Sequence, residues 1–237
     1  MTRPPDRVLV VMAKAPRPGR VKTRLSASYP VAATVDLYRC LLSDTLDLGL
    51  SLENTAVAIM APADDLDDLV PLLPPSVTAV AQEGTGLAAA LASVFSAFTR
   101  DRPRRVLAFN SDSPHLPARL LDDAFDALST HDVVAGPTDD GGYYLVGATA
   151  SHEGLFDPAP MGTGGALASL ASNAAALGLT LQLTGEWFDV DVAGDLERLA
   201  VMLRQDPSLA PKTAACLQSW SLAGQPTVAQ PTSHDAP

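Results

Sequence analysis

Apolar positions along the chain follow two alternating rhythms. Short runs rich in Val, Ile, Leu or Phe stand at Val8–Ala13, Thr55–Ala61, Val77–Ala81, Arg105–Asn110 and Asp132–Pro137, each bounded by turn-forming residues. Runs of this length and composition predict buried strands, and Gly142–Ala148 predicts another. Between them, Val31–Leu48, Leu87–Thr99 and Pro117–Ser129 repeat apolar residues at helical spacing, as in Leu120, Leu121, Ala124, Phe125 and Leu128. Gly165–Leu177, Asp195–Arg204 and the shorter Pro211–Leu222 extend the helical series. Such alternation predicts an α/β fold with a largely parallel sheet covered by helices on both faces. One domain over residues 1–222 is expected. Residues 223–237 are poor in bulky apolar groups and spaced by proline, which predicts a disordered tail.

Composition narrows the function classes. Hydrophobic residues make up 47% of the 237 positions, enough for a substantial core. With 16 basic and 27 acidic residues the formal charge is −11, which argues against nucleic acid or an anionic membrane as partner. No apolar stretch reaches the ~20 residues of a membrane span, and the polar N-terminus does not resemble a secretory signal. Two cysteines make neither a disulfide framework nor a zinc site, and the four histidines have no catalytic or ligand spacing. A cytoplasmic protein is expected.

Against that acidic background, the loop after the first strand is unusual. Lys14, Arg17, Arg20, Lys22 and Arg24 lie within Ala13–Leu25, five of the chain's 16 bases. Pro16, Pro18 and Gly19 keep the segment irregular, and it follows the C-terminal end of a strand, the edge where open α/β sheets bind ligands. Cationic side chains and the free N–H groups of a glycine turn suit a di- or triphosphate. A Walker A motif is excluded, because Lys22 and Thr23 lack the glycine spacing.

Acidic residues cluster at other strand ends. Asp112 follows the fourth strand in NSDSPHLP, a placement that suits Mg²⁺ or Mn²⁺ on phosphate oxygens or an ordinary turn. In WFDVDVAGD, Asp189 and Asp191 alternate with apolar residues, so an extended segment turns both carboxylates the same way. Taken with Asp112 they predict a divalent-metal site, and Asp195 is expected at the first turn of the next helix. Asp139 and Asp140 precede Gly141 and Gly142 in a segment that also reads as a hairpin turn. Gln82, Gly84, Gly86 and Leu87 open a helix after the third strand, where glycine lets a base or ribose approach the backbone.

The ordered set KAPRPGRVKTRL, NSDSPHLP, GPTDDGGYYLVG and FDVDVAGDL resembles the DUF2064 family of bacterial GT-A-like transferases, over roughly residues 7–220. It is more distantly similar to the guanylyltransferases that act on phospholactate or phosphoenolpyruvate in coenzyme F420 synthesis. The resemblance implies a GT-A nucleotide-diphospho-sugar transferase fold, a Rossmann-like three-layer sandwich. It implies that Lys14, Arg17, Lys22 and Arg24 contact donor phosphates, with Gly19 in the same loop. Asp112, Asp189 and Asp191 would hold Mg²⁺ or Mn²⁺, and Gln82 to Leu87, including Gly84 and Gly86, would lie near the base. Asp140, Gly141, Gly142 and Tyr143 would border a small-molecule acceptor.

Two reactions share this anion clamp. Glycosyl transfer from a nucleotide sugar is the leading expectation, with nucleotidyl transfer from a nucleoside triphosphate as the alternative. Lys22 and Asp112 are the expected catalytic groups, with Asp140 as candidate general base. A nucleotide-binding module without catalysis is the reading from another class.

Overall fold

The computed structural model describes residues 5–102, 104–157 and 165–222. The expected tail and the segment 158–164 lie outside the described residues. Among the described residues, seven strands form one sheet: β1 (Arg7–Met12), β2 (Thr55–Ala61), β3 (Thr78–Ala81), β4 (Arg105–Asn110), β5 (Val133–Pro137), β6 (Tyr143–Ala148) and β7 (Leu181–Leu183). Their order across the sheet is β3-β2-β1-β4-β6-β5-β7. Strand β6 alone runs antiparallel to its neighbours β4 and β5, and the remaining pairings are parallel. The expected strands are all present, and β7 is an addition. It is three residues long and largely solvent-exposed, so it carries no apolar run that could announce it.

Among the described residues, seven α-helices accompany the sheet: α1 (Val31–Leu50), α2 (Leu66–Leu69), α3 (Gly86–Thr99), α4 (Ala118–Ala127), α5 (Ala166–Ala176), α6 (Ala193–Gln205) and α7 (Pro211–Leu222). Strand periodicity decides which helix covers which face. Val8 and Val10 of β1 pack with Leu91, Val94 and Phe95 of α3 and Leu170 of α5. The intervening Leu9 joins Leu121 and Phe125 of α4, and Val11 joins Val35, Tyr38 and Leu42 of α1. The result is a three-layer α/β sandwich. A fourth cluster lays Phe188, Val190, Leu196, Leu199 and Ala214 on Leu37 and Leu41 of α1, which brings the C-terminal segment across the molecule. Each such fully buried aliphatic or aromatic side chain contributes about 1.5–3 kcal/mol.

The antiparallel hairpin of β5 and β6 needs a close approach at Gly136. A Cβ there would stand 2.3 Å from the Tyr144 ring, and that ring is anchored by its hydroxyl, which donates to the Gly185 carbonyl at 2.9 Å. Gly136→Ala is therefore expected to destabilise the protein by about 1–3 kcal/mol, as a lower urea midpoint at unchanged m-value. Full retention of the midpoint would show that the ring can move aside.

Candidate functional site

The parallel strands β1, β2, β3 and β4 all end at the same edge of the sheet, so the loops that follow them converge. They enclose a cleft of about 650 Å³ whose walls include Lys14, Arg20, Lys22, Arg24, Gln82 and Leu87 as well as Asp112 and Asp191. Gly86 and Tyr38 complete part of the same wall. Residues separated by most of the chain thus share one site.

Lys22 stands at its centre. Its ammonium donates to the Val190 carbonyl at 2.6 Å and pairs with Asp112 at 2.8 Å and Asp191 at 3.4 Å. Only 3% of its side chain is exposed. The backbone at Lys22 takes a positive φ of 49°, a conformation that costs an L residue about 1 kcal/mol or more. The three contacts hold it there. Arg24 approaches the other oxygen of Asp191 at 3.6 Å. Among the described residues, Lys14 and Arg20 have no ion-pair partner, which leaves two cationic groups of the cleft available to a ligand.

Asp112 is positioned through its backbone and through a relay. Its carbonyl accepts from Val190 N–H at 3.1 Å, which ties the segment carrying Asp189 and Asp191 to the end of β4. Lys14 N–H donates to the Tyr38 hydroxyl at 3.1 Å, Tyr38 and Ser111 bond at 3.2 Å, and Ser111 Oγ lies 3.4 Å from Asp112 Oδ1. Burial, reinforced by the Asp112 charge, raises the Tyr38 phenol above its ordinary range, so it stays a neutral donor. Burial together with the neighbouring Asp191 and Asp112 charges pushes the Asp189 carboxyl up to about 6. Asp195 stands in the first turn of the following helix, as expected, and accepts from the N–H groups of Asp191 and Val192 at 2.9 and 2.8 Å.

Other expected residues are placed differently. Arg17 turns away from the cleft and binds Asp65 at 3.1 Å, Asp68 at 2.6 Å and the Asp64 carbonyl at 2.9 Å. The buried Asp65 also accepts from Ala15 N–H at 2.9 Å. This pair braces the base of the basic loop, because a buried carboxylate must be matched by donors and Arg17 is the cation within reach. Gly19 and Gly84 have left-handed φ values of 72° and 73° and shape their turns without lining the cleft. Asp140 is a turn former: its carboxylate accepts from Thr138 Oγ at 2.6 Å and Gly142 N–H at 3.0 Å. Those bonds, the Thr138 one foremost, hold its pKa below the usual carboxylate range. Among the described residues, no group of three His, Cys, Asp or Glu side chains stands close enough to hold a metal by itself. Asp112, Asp189 and Asp191 therefore do not form a closed three-carboxylate cage, because Lys22 lies between Asp112 and Asp191.

Tyr38, Ser111 and Asp65 were not legible as site residues. Tyr38 sits on the apolar face of a helix, and only the packing of α1 brings its hydroxyl to the strand ends.

His115, next in line after the Asp112 turn, is buried against Trp187 and Phe188 with neither ring nitrogen hydrogen-bonded. Burial, with Arg198 nearby, lowers its pKa from 6.5 to about 3. The unfolded chain binds the proton more readily, so stability is complete above pH 6.5 and is lost as pH falls toward 3. His115→Phe is expected to flatten the acid limb of stability in that window by about 1.4 kcal/mol per pH unit, measured as urea midpoints against pH. An unchanged slope would assign the acid limb to other groups.

The fold and sequence have identifiable relatives. A structure of a candidate nucleotide-diphospho-sugar transferase from Desulfovibrio desulfuricans G20 is 26% identical, with TM-score 0.83 over 92% of this chain and 96% of that one. The 4-diphosphocytidyl-2C-methyl-D-erythritol synthase of Anaerococcus prevotii DSM 20548 shares the fold at 11% identity and TM-score 0.58, covering 84% and 96% of the two chains. A cytidylyltransferase from Leptospira borgpetersenii serovar Hardjo-bovis does so at 12% and 0.57, covering 96% and 99%. No curated protein matches the chain. No helix among the described residues is long and apolar enough to cross a membrane. Residues 45–163, a stretch that includes the Asp112 turn and the Asp139–Gly142 loop, match the model described as "Uncharacterized protein conserved in bacteria" (DUF2064), and the chain belongs to that family.

Proposed function

We propose that this protein is a transferase that uses a nucleotide donor, with glycosyl transfer from a nucleoside-diphosphate sugar to a small-molecule acceptor in the cytoplasm as its reaction. The observation that carries this reading is the cleft at the strand ends, where Lys14, Arg20, Lys22 and Arg24 stand beside Asp112 and Asp191. The similarity to the Desulfovibrio structure supports the donor class.

The cationic side chains bind and orient the diphosphate. Lys22 has three N–H donors, and its longest contact, to Asp191 at 3.4 Å, is the one a phosphate oxygen can replace. Gln82, Gly86 and Leu87 border the space open to the base. A divalent ion would draw on the carboxylates that face Lys22 in this structure. Mg²⁺ and Mn²⁺ take one or two carboxylates and complete their shell with phosphate oxygens and water, and Asp112 and Asp191 supply such a pair. Bound there, the ion would neutralise negative charge on the departing phosphate. The bond that breaks joins the sugar to the diphosphate, and the nucleoside diphosphate leaves.

Nucleotidyl transfer is the second reading. It is favoured by the single strand-end Asp112 facing the late Asp191 across Lys22. Here a phosphorylated acceptor attacks the α-phosphorus of a triphosphate, and pyrophosphate leaves. Incubation with nucleotide sugars and triphosphates, Mg²⁺ or Mn²⁺, and a panel of acceptors separates the readings. Nucleoside diphosphate release supports glycosyl transfer and pyrophosphate release supports the second reading. Calorimetric binding of a nucleotide without turnover would leave a binding module, and no binding of any nucleotide would overturn all of these.

A further inference from the structure

Helices from opposite ends of the sequence lie side by side on the face away from the sheet. Asp44 of α1 accepts from the backbone N–H of Lys212 at 3.2 Å and of Thr213 at 2.7 Å, and Lys212 Nζ reaches Ser43 Oγ at 2.7 Å. At the other end Tyr29, just before α1, meets Trp220 of α7 with ring centroids 5.4 Å apart. The two helices are therefore antiparallel, with their register pinned at Asp44 and Lys212. One helical turn back along α1 from Asp44 is Cys40, and one turn onward along α7 from Lys212 is Cys216. The same register brings the two cysteines face to face.

Both thiols are free and half-buried. The Cys216 thiol beside it, with help from Lys212, lowers the Cys40 pKa against burial and the charges of Asp44 and Asp36. The neighbouring Cys40, together with burial, raises the Cys216 thiol.

We propose that Cys40 and Cys216 form a reversible disulfide site that staples α7 onto α1. The oxidant is a low-molecular-weight disulfide. The Cys40 thiolate attacks one of its sulfurs, its S–S bond breaks, and one thiolate leaves. Cys216 then gives up its proton and attacks Sγ of Cys40 in the mixed disulfide, expelling the second thiolate. The two cysteines lose two electrons, the small disulfide gains them, and the two thiol protons end on the released thiols. Part of the consequence reaches the cleft. Phe188 and Val190, which flank Asp189, pack with Leu37 and Leu41 of α1 and Ala214 of α7 in one cluster. A bridge between these helices holds that cluster together.

The proposal stands apart from the transferase reading and is tested without an activity assay. The full chain is equilibrated with reduced and oxidised glutathione at a series of ratios, then analysed by intact mass, thiol titration and non-reducing peptide mapping. The expected result is loss of both free thiols, a mass lower by about 2 Da, and one crosslinked peptide pair, all reversed by dithiothreitol. The oxidised chain should unfold at a temperature roughly 10 °C higher than the reduced one. Thiols that stay free at every ratio, glutathione adducts that persist, or disulfides between chains would overturn the site. A bridge without a rise in unfolding temperature would overturn the staple. Cys40→Ser and Cys216→Ser should each abolish the crosslink, but the wild-type chain carries the decision whether or not the variants fold.

Discussion

Asp112→Asn and Asp191→Asn are each expected to lower metal-stimulated kcat/KM by on the order of 10²- to 10³-fold while leaving the fold intact. Asparagine keeps the size of the side chain but removes the charge that a divalent cation needs. The backbone carbonyl of Asp112 still receives Val190 N–H at 3.1 Å, so the tie between β4 and the late segment survives. Mn²⁺ titration in the presence of a nucleotide provides a readout independent of turnover, and weaker binding should accompany the rate loss. Two variants with wild-type metal affinity would exclude these carboxylates as ligands.

The second large effect is expected at Lys22. Lys22→Met should weaken binding of nucleoside di- and triphosphates by about 10²-fold and leave the free nucleoside almost unaffected, because a buried charge-assisted contact is lost with its phosphate partner. The variant should also be less stable, by about 1–3 kcal/mol. Removing the ammonium leaves Asp112 and Asp191 without their shared cation, and their partial exposure, at 24% and 41%, moderates the cost of a broken buried pair. Titration calorimetry with the nucleotide and its nucleoside checks the first effect and urea unfolding checks the second. Equal losses for both ligands would show that Lys22 does not touch phosphate.

Arg17 and Lys22 show how far residue type alone could reach. Both lie in the same basic loop, and nothing in their spacing shows that Lys22 lines the cleft while Arg17 turns away from it. The difference is made by α2 and the turn before it, which place Asp65, Asp68 and the Asp64 carbonyl around Arg17. Asp140 is a parallel case among the acids. Its Asp-Asp-Gly-Gly setting reads as either a turn or an active-site edge, and the bonds from Thr138 and Gly142 show that it builds the turn. Tyr38 is the converse case, an apolar-face residue whose hydroxyl joins the site only because α1 packs against β1.

The linear order of residues determined a good deal by itself: the strand–helix alternation, the covered sheet, the concentration of positive charge after β1, and the carboxylates at strand ends. These are local properties, set by side-chain periodicity and by where turn formers interrupt it. Tertiary structure alone decided that β6 runs against its neighbours, that β7 completes the sheet, and that Asp191 meets Lys22 across 169 positions of sequence. Strand direction and long-range pairing depend on how several apolar faces are buried at once. No window along the chain contains that information.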